Sequence, residues 1–304
     1  MLRWRLISAA VILTAIISII FADFQLGSAD SLNRPGLVLG FVLMIVGCLA
    51  ANEVVSFNAA NNSGIKKWAV LSGTVLVIGF SLIPMFYENY PADCSVGRFG
   101  WPMFGMAATI GLAFVSQMIG YKPGDQVLDN VARTVMVVAY IGLLLSFWAP
   151  LRAYMGNAWG MVAMLSLFVT VKISDSMAYA IGRIFGKHKL APNLSPGKTI
   201  EGMFGGLLGG CLGAFFVFCY LAPRITGEAS PAAWWMIILF GVVVTLVGIV
   251  GDLSESLLKR DGGVKNSSRW LPGLGGIMDI IDSLLPAGPV VFAFWATGMF
   301  TPAA

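Results

Sequence analysis

Charge is scarce in this sequence. Of its 304 residues only 11% are Asp, Glu, Lys or Arg, against 58% hydrophobic, and the mean hydropathy is +0.83. A soluble globular domain carries about a quarter charged residues, so that class is excluded. Cysteine is also sparse. Cys48, Cys94, Cys211 and Cys219 show no C-x-x-C spacing, and three of them fall in apolar runs, where they read as small apolar side chains. The single histidine, His188, stands among lysines and reads as a surface residue rather than a ligand. No polar stretch is long enough to form a soluble domain that binds a duplex, and the formal charge of +4 suits loops facing anionic lipid. Nucleic acid is therefore excluded as a partner.

What the chain has in quantity is long apolar runs. About 20 residues of helix cross the hydrocarbon core, and in lipid only a helix satisfies its own backbone groups within one segment. Nine runs approach that length, near 6–22, 36–52, 68–86, 103–120, 132–150, 157–181, 202–222, 233–251 and 283–300. The first follows Arg3 and Arg5 as a signal peptide would, but "IISIIFADFQLG" has no small-x-small cleavage site, so it counts as a helix. The pattern predicts an all-α polytopic membrane protein of about nine transmembrane helices. With the N-terminus in the cytoplasm, fourteen basic residues fall inside (Arg3, Arg5, Lys66, Lys67, Lys122, Arg133, Arg183, Lys187, Lys189, Lys198, Lys259, Arg260, Lys265 and Arg269). Four fall outside (Arg34, Arg98, Arg152 and Arg224), and Lys172 stands within a span. That asymmetry predicts a cytoplasmic N-terminus.

The polar chemistry is unevenly distributed. Residues 1–155, with about five helices and short loops, read as scaffold. Residues 156–304 read as the catalytic region, with two cytoplasmic loops rich in Gly, Pro, Lys and Asp over 182–201 and 252–282. Lys172 and Asp175 share a helical face within the sixth span, where an unpaired charge costs at least ~2.5 kcal/mol. Either they form a structural ion pair or they line a polar cavity open to the cytoplasm, and Ser174 and Ser176 beside Asp175 favour the cavity. The stretch "LSPGKTIEG" sets Ser195, Lys198 and Thr199 at a helix start, a plausible phosphate cradle that lacks the P-loop spacing. In the seventh span Gly202, Gly206 and Gly210, and again Gly205, Gly209 and Gly213, form close-packing surfaces, for internal packing in preference to a subunit contact. The second loop holds Asp252, Ser256, Lys259 and Arg260, then "PGLGG" and Asp279 and Asp282 three apart. Carboxylate oxygens of this kind, with phosphates completing the shell, suit Mg²⁺. The parts describe a site for phosphate esters, metal and lysines at a membrane surface.

These residues resemble the phosphatidate cytidylyltransferases, or CDP-diacylglycerol synthases. In "SLLKRDGGVKNSSRWLPGLGGIMDIID" the positions Ser256, Lys259, Arg260, Lys265, Pro272, Gly275, Gly276, Asp279 and Asp282 follow that family's C-terminal signature. A second block, "SDSMAYAIGRIFGKHKLAPNLSPGKTIEG", matches at Asp175, Tyr179, Gly182, Gly186, Lys187, Ser195, Pro196, Lys198, Thr199 and Glu201. Coverage is good from about residue 160 onward and weak before it. Asn266, Leu274 and Ile280 depart, standing where the signature has Asp, His and Arg.

The resemblance implies cytidylyl transfer from CTP to phosphatidate or a related lipid phosphate, for phospholipid biosynthesis. It further implies an inner (plasma) membrane location of bacterial type with the active site on the cytoplasmic side, and a homodimer. By this reading Asp252, Asp279, Lys259, Arg260 and Lys198 are catalytic, with Asp252 and Asp279 as the Mg²⁺ ligands. Asp175, Ser195, Thr199, Ser256, Lys265, Gly275, Gly276 and Asp282 bind substrate, Asp282 from beside the metal. Left open are an additional monovalent cation such as K⁺, a weakened or inactive member that binds lipid or nucleotide, and a transporter on a similar frame.

Overall fold

The computed structural model describes residues 14, 18–28, 34–59, 64–87, 90–91, 93–97, 100–264, 268 and 275–300. Most of the first apolar run, as well as Lys265, Asn266, Pro272 and Leu274 of the signature loop, lies outside the described residues. The described chain is helical almost throughout. A stretch over 18–28 (α1) precedes α2 (Leu37–Ala59), α3 (Lys67–Leu82), α4 (Gly100–Met118), α5 (Val127–Val138) and α6 (Trp148–Arg152). Then come α7 (Gly156–Phe185), strands β1 (Lys189–Ala191) and β2 (Ser195–Thr199), α8 (Ile200–Phe215), α9 (Ala222–Thr226), α10 (Trp234–Asp261), α11 (Met278–Ile281) and α12 (Leu284–Ala296).

Among the described residues seven helical segments are long and apolar enough to span a membrane: Leu37–Phe57, Lys67–Phe86, Val127–Arg152, Gly156–Phe185, Ile200–Thr226, Trp234–Asp261 and Met278–Ala296. The chain is an integral, polytopic, all-α membrane protein. The run expected at 103–120 is the helix α4, which stays outside these seven because Gly105, Gly111, Thr109, Ser116 and Gln117 dilute its apolar character. Thr74 and Thr134 are buried in spans, and their hydroxyls bond back one turn to Val70 (2.9 Å) and Asn130 (2.7 Å), which satisfies them where no water is available.

Two units make up the chain. One comprises Met1–Ala153 with Leu258–Ile280, the other Tyr154–Leu257 with Ile281–Ala304. In the first, α2, α3, α4 and α5 pack side by side at close range. A Cβ at Gly105 would lie 2.7 Å from the Val77 backbone, so α3 and α4 touch main chain to main chain there. In the second, α7 and α8 share the most extensive contact. The α8 glycines face their own chain: Gly202 meets the Ala178 carbonyl, Gly205 meets Ile181, Gly209 meets Met177, and Gly210 meets Thr245 of α10. Close approach of this sort is what small residues permit in lipid. An aromatic cluster of Phe218, Phe240, Trp295 and Phe300 fills the other end of the same unit, with Phe218 stacked on Phe300 at 4.4 Å between centroids.

Two expected loops are largely regular structure. Residues 189–199 form an antiparallel hairpin that pairs Lys189 with Thr199 and Ala191 with Ser195, an exception to the all-helical expectation. The helix expected to end near 251 continues to Asp261, because Leu, Glu, Lys and Arg in "LSESLLKR" favour helix regardless of lipid. Gly262 and Gly263 stop it. Gly263 takes φ +68°, its own amide bonds back to the Arg260 carbonyl and the Val264 amide to that of Lys259.

Candidate functional site

The extension of α10 places Asp252, Glu255, Ser256 and Lys259 within two turns of one helix. Asp252 and Glu255, three apart, share a face. Asp282, on the turn between α11 and α12, joins them: one carboxylate oxygen from each of Asp252, Glu255 and Asp282 lies within 4.8 Å of the others. Glu255 and Asp282 are buried, and Asp252 is half-buried. The approach is held by Gly251, where a Cβ would collide with the Asp282 carbonyl and sit 2.7 Å from Pro286. Asp282 Oδ1 accepts from the Ser283 amide (2.6 Å) and hydroxyl (3.0 Å), which turns the carboxylate toward α10.

Two lysines complete the group. Lys198 Nζ, on the hairpin's second strand, contacts Asp252 Oδ2 at 2.7 Å, which joins the 182–201 segment to the start of 252–282. Lys172 and Asp175 pair at 3.5 Å on α7, and Asp175 also lies in the field of Asp252 and Lys198. The hairpin is anchored at its root. Thr199 caps α8 by accepting from the Gly202 amide at 3.1 Å, and Glu201 accepts from the Lys187 and His188 amides and faces the His188 ring at 2.7 Å. His188 is exposed and paired with this glutamate. With its hydroxyl used as a cap, Thr199 is a structural partner of Lys198 here, and Ser195 is a half-buried strand residue opposite Ala191.

Lys259, Arg260, Gly275, Gly276 and Asp279 of the signature belong to the first unit. Asp279 Oδ1 accepts from Lys259 Nζ at 2.9 Å and its Oδ2 from the Gly276 amide at 2.7 Å. Gly275 has φ +93°, and a Cβ there would run into the Asp279 carboxylate, so only glycine fits on both counts. Arg260 is exposed at the end of α10, and Ser256 is half-buried on it. The sequence reading joins Asp279 to Asp252; in the second unit Asp252 has Glu255 and Asp282 beside it, and in the first unit Asp279 pairs with Lys259. The reading omits Glu255, although its spacing of three from Asp252 is the signal that picks out Asp279 and Asp282. It omits Glu53 as well, whose two oxygens accept from the Ile277 and Met278 amides (3.1 and 3.0 Å).

Carboxylates converge beside lysines on helices long and apolar enough to span a bilayer, so the class is that of a polytopic membrane protein with an acidic and basic cluster on its spanning helices. The chain belongs to the cytidylyltransferase family, which it matches over residues 4–297. It is 40% identical over 298 residues to the phosphatidate cytidylyltransferase of Haemophilus influenzae, covering 97% of this chain and 99% of that one. The phosphatidate cytidylyltransferase of Staphylococcus epidermidis is 30% identical over 263 residues, 86% of this chain and 90% of its own. That of Pseudomonas aeruginosa is 37% identical over 196 residues, 64% and 67% of the two chains.

Proposed function

We propose that this protein transfers the cytidylyl group of CTP to phosphatidate, releasing pyrophosphate and forming CDP-diacylglycerol for phospholipid synthesis. The observation that carries the reading is the group of Asp252, Glu255 and Asp282 with Lys198 on Asp252, in a chain whose relatives bear that activity in their names. In this reaction a phosphate oxygen of the lipid attacks the α-phosphorus of CTP and the bond to the bridging oxygen breaks. The attacking oxygen is already ionised at neutral pH, so no strong general base is required, and catalysis consists of positioning and charge neutralisation.

The three carboxylates fit Mg²⁺. Octahedral ligands about 2.1 Å from the ion lie roughly 3–4.2 Å apart, which oxygens grouped within 4.8 Å reach by small rotamer changes. A divalent ion bound there supplies positive charge to phosphate oxygens. Asp252, Glu255 and Asp282 would hold it, Lys198 would leave Asp252 for a phosphate, and Lys172 would offset the excess of acids. Asp279, Lys259 and Arg260 serve the same chemistry by the family pattern, and a monovalent cation such as K⁺ is a second occupant to test.

The membrane arrangement belongs to the same proposal. Nine spans with the N-terminus in the cytoplasm set the hairpin and α10's polar end on the cytoplasmic side of a plasma membrane, where CTP is available; the fourteen-to-four basic asymmetry supports it. A homodimer is the assembly the resemblance implies. CTP labelled at the α-phosphate, incubated with phosphatidate, Mg²⁺ and purified protein, should give labelled organic-extractable lipid and unlabelled pyrophosphate. No incorporation, with a family enzyme active in parallel, would refute the reading. Single cysteines at Ser195 and Ser268 should both react with an impermeant reagent from the cytoplasmic face.

A further inference from the structure

The helix α2 is apolar along most of its length, with one carboxylate, Glu53, near its C-terminal end and only 8% exposed. A buried carboxylate in a spanning helix persists only with partners. Glu53 has them: Oε1 accepts from the Ile277 amide at 3.1 Å and Oε2 from the Met278 amide at 3.0 Å, across 224 and 225 residues of chain. The preceding amide, Gly276, donates to Asp279. Three consecutive backbone donors are thus shared between two carboxylates, and the one from α2 fixes the path of the peptide that aims the other. One turn beyond Glu53, Phe57 touches the far end of the same segment. A Cβ at Gly262 would lie 2.8 Å from Phe57 Cβ and 3.1 Å from its carbonyl oxygen. The end of α2 therefore grips both the stop of Lys259's helix and the start of Asp279's.

We infer that Glu53 is a positioning residue for the Lys259–Asp279 pair: it holds residues 276–278 so that the Asp279 carboxylate meets Lys259. This rests on the reading above, in which that pair serves cytidylyl transfer. A carboxylate suits the task and an amide does not, because two amide donors need two acceptor oxygens while glutamine offers one and turns its own N–H₂ toward a donor.

The test is Glu53→Gln and Glu53→Asp in the full chain, in phospholipid nanodiscs. Glu53→Gln should lower kcat at least tenfold while KM for CTP and phosphatidate stays within twofold, and Glu53→Asp, which keeps two acceptor oxygens, should recover at least a third of the rate. Lys259 should also undergo reductive methylation severalfold faster in Glu53→Gln than in the parent, read by peptide mass spectrometry. That second measurement needs no turnover, so an inactive parent sinks the functional reading while leaving the positioning claim decidable. Parent-like kcat in a folded Glu53→Gln, or unchanged Lys259 reactivity, overturns the proposal. If Glu53→Gln does not fold, Gly262→Ala presses on Phe57 without changing a charge, and it should give the same fall in kcat; parent-like kcat and Lys259 reactivity there would equally overturn it.

Discussion

Two ion pairs in this molecule have nearly the same bond length and opposite surroundings. In the first unit Arg152 Nε contacts Asp23 Oδ2 at 2.8 Å with both side chains 1% exposed, and Asp23 also accepts from the Gly36 and Leu39 amides at the start of α2, each at 3.1 Å. In the second unit Lys198 contacts Asp252 at 2.7 Å with 21% and 36% of the side chains exposed, beside two further acids. The acid of the first pair is saturated by its own chain: a guanidinium and two amides use its oxygens, and Gly36 packs against the Arg152 stem. The second is incomplete, with more carboxylate than ammonium and solvent at the door. A closed pair holds helices together, whereas an open one can exchange its partner for a ligand.

Breaking the open pair should give the largest functional effect. Asp252→Asn removes a charge from the three-acid group and should reduce cytidylyl transfer about a thousandfold, the upper range for losing one electrostatic stabiliser. The melting temperature should stay near the parent's, since a half-exposed side chain adds little to stability. Breaking the closed pair should do the reverse. Arg152→Met leaves Asp23 buried and charged, and should cost about 3–5 kcal/mol of stability, while the double change Asp23→Leu with Arg152→Met restores most of it. Thermal unfolding in detergent measures both, and kcat of the surviving protein should be unchanged. A stable Arg152→Met with lost turnover would mean that the closed pair, too, serves catalysis.

The sequence made this division only half visible. Hydropathy reveals the spans because lipid imposes a length and a composition on every one of them, and the i, i+3 spacing of Asp279 and Asp282 marks the acidic segment. The continuation of α10 to Asp261 is not legible that way: charged residues end an apolar run without ending a helix, so Asp252, Glu255 and Lys259 look like loop residues. Asp23 and Glu53 fall just past the expected ends of their runs, at 22 and 52, and so residues 1–155 read as bare scaffold. Arg152 looks like an exposed outer-loop residue because its partner is 129 positions away. Long-range pairing of this kind leaves no periodicity to detect.

A milder way to sharpen the comparison leaves every charge in place. Gly275→Ala introduces a Cβ that collides with the Asp279 carboxylate and must adopt φ +93°. Backbone strain of this kind is worth about 1–3 kcal/mol, and the side chain that gives way is the one bonded to Lys259. Turnover should fall roughly tenfold, with Lys259 more reactive toward amine reagents. Ordinary turnover in this variant would separate the Lys259–Asp279 pair from the reaction.

The smallest effect isolates burial itself. Arg133 Nε contacts Asp129 Oδ2 at 2.8 Å, the same separation as Arg152 and Asp23, but across one turn of α5 and with 36% and 46% of the side chains exposed. Coulomb energy at fixed distance varies inversely with the effective dielectric, and water on both partners raises that dielectric several-fold and lets salt screen what is left. An i, i+4 pair of this kind contributes about 0.3–0.5 kcal/mol. Arg133→Ala should therefore shift the unfolding midpoint by a small fraction of the Arg152→Met shift, and the difference between parent and variant should vanish at high salt. Arg152→Met should show no such salt dependence, because a pair at 1% exposure has no solvent through which ions could screen it. If the two variants destabilise equally, or lose their effects together as salt rises, then bond length and not enclosure sets the strength of these pairs, and the contrast between a closed and an open pair fails at its base.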